Sequence, residues 1–322
     1  MLTLEQLRQI HVPLTRQHDY DAFWRRSRDV ARQQPVDAQV EPIDYPVSSV
    51  RVFDVTYRGF DTTPIHGWLI IPHPLPQPKI PCLIHFHGFS GDRGWPGQYL
   101  HWTSLGIAVL AIDCREQGGH TGNHAQYNSG HLTNLACKGI LDPYEYYFRA
   151  VYMDCVKALD FACHQPQIDP QRLILEGGSQ GGALAIAAAG LDARPWLVMA
   201  DVPSNSDLRQ RVEQEHGSFA SVADYLRRHP DDLDQVFKTL SYFDTINLAD
   251  RIRAPLLASV GLKDSVCPAE CFFATYNRIT ARKDIVLYPY NGHEGGGALH
   301  TERKLAWLAE WLGRDQSRNR SD

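Results

Sequence analysis

Three residues of this sequence, each placed just after its own short apolar run, have types and an order that suit nucleophilic catalysis. The first is Ser179, in the stretch ILEGGSQGGALAIAAAG over residues 174–190. Gly177-Gly178-Ser179-Gln180-Gly181 reads G-x-S-x-G, with an apolar strand-like run before it and an alanine-rich, helix-like run after it. A serine on such a sharp strand-to-helix turn is lifted off the sheet so that its hydroxyl stands exposed. Small neighbours let the backbone pass close to adjacent elements, so all four flanking glycines read as clearance residues. The backbone N–H of Gln180, at the first turn of the helix, is positioned to hold an oxyanion. Neither G-x-x-x-x-G-K-[ST] nor G-x-G-x-x-G fits here, which speaks against a nucleotide site.

A serine hydroxyl needs a base, and in this arrangement an acid and then a histidine follow the serine in chain order. Asp264 comes just after the run 255–261, and His293 just after the run 284–290, in the glycine-rich stretch NGHEGGG. The intervals are 85 and 29 residues. Each group therefore sits beyond the end of its own strand, where open α/β sheets carry their functional residues. His293 would take the proton of Ser179, and Asp264 would fix the imidazole tautomer. The second oxyanion donor is expected in the loop after an early strand, and the N–H of Phe89 in HFHGFSGDRGW fits. His85 and His87 alternate on that run, but two ligands do not make a metal site, and they read as packed or hydrogen-bonded histidines. His120, His124 and His131 read as solvated loop residues.

The elements that must position these groups are legible as periodicity. Residues 20–34 suggest a helix. Residues 48–59 and 63–72 alternate like two antiparallel strands joined by a short turn. The runs 82–88, 106–113, 172–178, 196–202, 255–261 and 284–290 are short and apolar on both faces, as in a buried parallel sheet. Helical segments separate most of them, the clearest at 142–163, with Asp142 as cap and Pro143 in its first turn. The expected fold is α/β: a mostly parallel central sheet with helices on both faces and antiparallel strands at the N-terminal side. We read 1–322 as a single domain with two insertions, a polar loop over 117–141 and charged helices over 203–244, and a disordered tail over 314–322.

Composition excludes other classes. The formal net charge of −5 leaves no basic footprint for nucleic acid or an anionic membrane. No segment has the length of a membrane span, and the N-terminal stretch MLTLEQLRQIHVPLTRQHDYDAFW reads without a signal-peptide core, so a cytoplasmic location is expected. The seven cysteines are odd in number and contain no C-x-x-C, which suits a reducing compartment. Cys267 and Cys271 are expected on one helix face as buried free thiols rather than metal ligands. No cofactor or metal is called for.

Beyond these local patterns, DYDAFW, HGFSGDRG, KGILDPYEYYFRAVYMD, GGSQGG, TLSYFDTINLADRI, CPAECFFATYN and YPYNGHEGGG occur in that order. Together they resemble the acetyl xylan esterase / cephalosporin C deacetylase family, the seventh class of carbohydrate esterases, within the α/β-hydrolase superfamily. The resemblance covers nearly the whole chain. It implies a cofactor-free serine esterase that deacetylates small substrates such as xylo-oligosaccharides and cephalosporin C. It carries over Ser179, Asp264 and His293 as triad, and Phe89 and Gln180 as oxyanion donors. It also implies a cytoplasmic homohexamer whose sites open on an inner chamber, with the two insertions as interface elements. Two positions depart from the family pattern. Arg115-Glu116-Gln117 stands where Arg-Gly-Gln is usual, so a left-handed residue there would cost roughly 1–2 kcal/mol. His87-Gly88-Phe89 replaces His-Gly-Tyr, which removes a hydroxyl. Another hydrolase on the same fold (a longer-acyl esterase, lactonase or peptidase) or an inactive scaffold are the alternatives.

Overall fold

A computed structural model of the chain describes residues 2–131 and 134–318. Nine strands form one sheet in the order β1-β2-β3-β5-β4-β6-β7-β8-β9. They are β1 (Gln39–Ile43), β2 (Val50–Arg58), β3 (Pro64–Pro72), β4 (Ile80–Phe86), β5 (Ala108–Ile112), β6 (Ile168–Gly178), β7 (Pro195–Asp201), β8 (Leu256–Gly261) and β9 (Lys283–Tyr288). β1 to β3 pair antiparallel, β3 also joins β5 antiparallel, and every pairing from β5 through β4 to β9 is parallel. This is the architecture expected from the apolar runs. β1 is the strand they did not indicate, because four of its five residues are exposed and it lies on the sheet edge.

Burial explains why the central runs lack alternation. Leu83, Ile84, Val109, Leu110, Ile174, Leu175, Leu197 and Val198 are all fully buried, on either side of the sheet. One face is covered by the helices Tyr20–Gln33, Tyr147–Cys163 and Gln180–Leu191, the other by Trp102 and by the C-terminal helix Gly297–Arg318 through Leu305 and Leu308. Each fully buried Leu or Ile contributes about 1.5–3 kcal/mol relative to an exposed one.

Three boundaries differ from the sequence expectation. The helix placed at 142–163 starts at Tyr147. Asp142 instead caps a turn, its Oδ1 accepting from the N–H of Tyr144 at 2.8 Å while its carbonyl accepts from Glu145 and Tyr146. Cys267 precedes the helix Ala269–Tyr276, so it does not share a helix face with Cys271, although both are buried free thiols. The C-terminal helix runs on to Arg318, over much of the segment assigned to disorder, while 319–322 lie outside the described residues. The insertion 203–244 does hold helices, Leu208–Glu213, Ala220–Arg228 and Leu233–Phe243. The 117–141 segment is loop with a short helical turn, Leu135–Cys137, among its described residues. His120, His124 and His131 are exposed in it.

The Arg115 guanidinium anchors the start of that loop and is fully buried. It donates from Nε and Nη2 to the two oxygens of Asp154 at 2.7 and 2.8 Å, from Nη1 to Asp61 at 2.9 Å, and from Nη2 to the carbonyl of Phe60 at 2.9 Å. Asp154 also accepts the N–H of Phe60 at 2.8 Å. Such a fork is geometrically saturated, so removal of one partner strands a buried charge. Asp154→Ala is expected to cost about 3–5 kcal/mol, read as a lowered midpoint in urea unfolding.

Candidate active site

β6 delivers Ser179 at its C-terminal end, and the helix Gln180–Leu191 begins at the next residue. Ser179 has φ 57° and ψ −118°, a conformation that an L-residue adopts only when its surroundings impose it. Its N–H donates to the carbonyl of Asp201 at 2.8 Å, and its carbonyl accepts from the N–H of Ser204 at 3.0 Å. The flanking glycines are not equivalent. A Cβ on Gly181 would lie 1.8 Å from the carbonyl oxygen of Phe86, and one on Gly177 would lie 2.4 Å from it. A Cβ on Gly178 would meet nothing nearer than 3.9 Å. Close approach of β4 thus requires Gly177 and Gly181, whereas Gly178 is not needed for clearance, contrary to the expectation for all four.

β8 and β9 bring the other two groups to the same rim. His293 Nε2 lies 2.9 Å from Ser179 Oγ, and its Nδ1 lies 2.8 Å from Asp264 Oδ2. The Asp264 side chain is fully buried, and its other oxygen accepts the N–H groups of Val266 and Cys267, each at 2.8 Å. The sequence-predicted serine, aspartate and histidine therefore meet within proton-transfer distance. The hydrogen bond to Asp264 raises the His293 pKa above the ordinary imidazole value, the Cys267 sulfur adds to this, and partial burial opposes it. Chemically, this is a hydroxyl with a base on it and a carboxylate behind the base.

Phe89 and Gln180 both line the cavity that opens over Ser179. Gln180 opens its helix, so its N–H has no intrahelical acceptor. Gly88, next to Phe89, lies so near that a Cβ there would be 4.0 Å from the Cβ of Ser179. His87 fixes this loop: its Nδ1 is 2.7 Å from the carbonyl of Gly88, and its Nε2 accepts the N–H of Cys114 at 2.8 Å. Burial lowers its pKa, which matches this neutral tautomer. His87 lies beyond the end of β4. His85, within it, pairs with Glu176 at 2.6 Å. Among the described residues no group of three His, Cys, Asp or Glu side chains could hold a metal ion.

Sequence reasoning missed several neighbours of the site. Cys267 Sγ is 4.0 Å from Ser179 Oγ. Gln117 exchanges side-chain hydrogen bonds with Gln180, donates to the Tyr147 hydroxyl at 2.9 Å, and accepts the N–H of Ser90 at 2.8 Å. Asn134, Arg211, Gly217 and Ser218, all from the two insertions, line the cavity, whose volume is about 680 Å³. Gln117 lies in the Arg115-Glu116-Gln117 stretch singled out by the resemblance, but the others carry no local sequence pattern, because each reaches the site through tertiary packing. Glu116 does adopt the left-handed conformation, with φ 57°. Its carboxylate pairs with Lys138 and accepts from Asn123 Nδ2 at 2.8 Å, which holds the loop in place.

Sheet topology, elbow and relay define a hydrolase of the α/β-hydrolase fold. A family model described as acetyl xylan esterase (AXE1) matches residues 1–311, and the chain belongs to that family. It is similar to the solved acetyl xylan esterase from Paenibacillus sp. R4, at 42% identity and TM-score 0.92, over 95% of this chain and 99% of that one. It is also similar to acetyl xylan esterase 1 from Thermoanaerobacterium sp. JW/SL YS485, at 30% identity and TM-score 0.88, over 95% and 98%. The acetyl esterase Axe7A of Xylanibacter ruminicola is 28% identical over 289 residues, which are 85% of this chain and 63% of that protein.

The glycine geometry is testable by substitution. Gly181→Ala is expected to lower stability by at least about 2 kcal/mol through overpacking, with activity falling as the elbow shifts. Gly178→Ala should stay within about 1 kcal/mol of the wild type in the same denaturant titration.

Proposed function

We propose that this chain hydrolyses acetyl esters of small carbohydrates, xylo-oligosaccharides foremost, through an acetyl-enzyme at Ser179. The observation that carries the reading is the relay from Asp264 through His293 to Ser179 Oγ, with contacts of 2.8 and 2.9 Å. Membership of the acetyl xylan esterase family supports acetyl esters as the substrate class.

His293 accepts the hydroxyl proton as Ser179 Oγ bonds to the acetyl carbonyl carbon. The carbonyl oxygen gains the charge and is held by the N–H groups of Phe89 and Gln180. The imidazolium then gives its proton to the departing alkoxide, and the alcohol leaves. Water, deprotonated by His293, attacks the acetyl-serine, and collapse of the second tetrahedral intermediate returns acetate and free Ser179. Phe89 contributes through its backbone, so the absent tyrosine hydroxyl leaves this step intact. Cephalosporin C is a second substrate on this reading, a homohexamer the assembly, and the cytoplasm the location. Among the described residues no helix is long and apolar enough to cross a membrane.

Ser179→Ala should reduce kcat on p-nitrophenyl acetate and acetylated xylobiose by about 10⁴-fold or more, and butyrate or longer p-nitrophenyl esters should be poorer substrates of the wild type. Loss of the p-nitrophenol burst in the variant would place the acyl group on that serine, whereas full activity in Ser179→Ala would refute the mechanism.

The pH dependence has a defined sign. A raised imidazole pKa keeps His293 protonated to higher pH, so activity is lost tenfold per unit as pH falls through that raised value. The acid limb of kcat/KM should therefore have its midpoint above the ordinary imidazole value of about 6.5. Asp264→Asn should move that midpoint down and cut kcat by about 10³–10⁴-fold.

A further inference from the structure

Among the described residues no carboxylate pairs with Arg211, a cation in the wall of the Ser179 cavity. It is 1% exposed and lines that cavity from the helix Leu208–Glu213. Among the described residues its guanidinium makes one hydrogen bond, from Nη2 to the carbonyl of Val266 at 2.9 Å, and it lies 5.4 Å from the centroid of the Phe219 ring. Nε and Nη1 are buried and have no hydrogen-bond partner among the described residues. The backbone turn at Gly217, with φ +59°, lies against the same group, since a Cβ there would be 3.0 Å from Nη2.

The other charged groups of the cavity wall are already engaged. Asp201 pairs with Lys304 at 2.6 Å and lies 3.0 Å from His300 Nε2. His293 is held between Asp264 and Ser179. Glu294 is exposed at the rim and accepts from Asn291 and from the N–H of Gly292. A buried guanidinium with unmet donors is costly to keep. The group that best satisfies its planar fork is a carboxylate, held by two parallel N–H···O bonds. Ser204 and Asn205 make the adjacent wall polar as well.

We propose that Arg211 forms an anion-recognition subsite of this cavity, so that the preferred substrate is an acetyl ester whose alcohol portion bears a carboxylate, such as an acetylated uronic acid sugar. The charge belongs to the alcohol because the acetyl group has no place for it. This inference rests on the acetyl esterase reading above.

The test compares a mono-acetylated methyl glucuronoside with the corresponding mono-acetylated methyl glucoside, which differ only in carboxylate against hydroxymethyl. Binding to Ser179→Ala protein is measured by calorimetry, and turnover is measured on the wild type. The acid should bind at least tenfold more tightly and show a kcat/KM at least tenfold higher. That ratio should collapse toward one when Arg211→Met is added and recover in part with Arg211→Lys. Equal or weaker binding of the acid overturns the subsite, as does an acid preference that survives Arg211→Met. If Arg211→Met does not fold, the binding ratio in Ser179→Ala alone decides. If neither ester is hydrolysed by the wild type, the esterase reading fails, and the binding comparison still decides the subsite by itself.

Discussion

The structure depends on holding Ser179 in a backbone conformation that its own chemistry disfavours. A non-glycine residue at φ 57° and ψ −118° stores on the order of 1–3 kcal/mol. The surrounding sheet opposes its relaxation. The N–H of Ser179 is tied to the end of β7 and its carbonyl to Ser204, while β4 crosses so near that Gly177 and Gly181 can carry no side chain. The strain is useful because it points Oγ out of the sheet toward His293 instead of along the helix that starts one residue later. Relaxing the turn would rotate the hydroxyl away from its base. The fold's rigidity and its chemistry are thus two aspects of one constraint.

A buried ionic cluster extends that constraint to the histidine. Lys304, on the C-terminal helix, reaches Glu176 of β6 and Asp201 of β7, both at 2.6 Å. Burial works against the Glu176 charge, yet Lys304 and His85 hold its carboxyl well below the ordinary range. The glycine-rich turn carrying His293 leads directly into that helix. The ion pairs therefore join the arm that bears the base to β6, which delivers the nucleophile, and to its neighbour β7. They sit beneath the elbow, where a hydrophobic contact would fix distance but not register. A charged group with two defined acceptors fixes both, since moving the helix by one residue would leave the Lys304 ammonium buried away from Glu176 and Asp201.

Much of this was legible because each reactive group follows its own buried strand. Ser179, Asp264 and His293 each follow an apolar run, and the α/β topology sends the C-terminal ends of parallel strands to one rim. What was illegible follows from the same logic. β1 is exposed on four of five residues and carries no apolar signal, since pairing along an edge needs only its backbone. The helix after the first insertion begins at Tyr147 and not at Asp142, because Asp142 spends its side chain and carbonyl on a turn. Cys267, Gln117 and Arg211 come from loops and an inserted helix whose approach to the site is set by packing across long sequence distances. No spacing rule reports such an approach.

Glu116 shows how a residue with a side chain can be held in a backbone conformation that favours glycine. The residue occupies the left-handed region at φ 57°, where glycine would cost nothing. Its N–H nonetheless donates to the carbonyl of Thr121 at 2.9 Å, and its carboxylate is held by Lys138 and Asn123. Asn123 also accepts from Arg115 at 3.1 Å, so the side chain that replaces glycine is tied into the network that anchors the loop. Partial burial opposes the charge of Glu116, but Lys138 and Asn123 outweigh it and keep the carboxyl below its ordinary range. The left-handed strain of roughly 1–2 kcal/mol is accompanied by contacts to Lys138 and Asn123 that glycine could not make. Gln117, one residue on, still reaches Gln180 and the nucleophile elbow. The conformation that glycine permits by default here coexists with a backbone bond to Thr121 and side-chain contacts to Lys138 and Asn123.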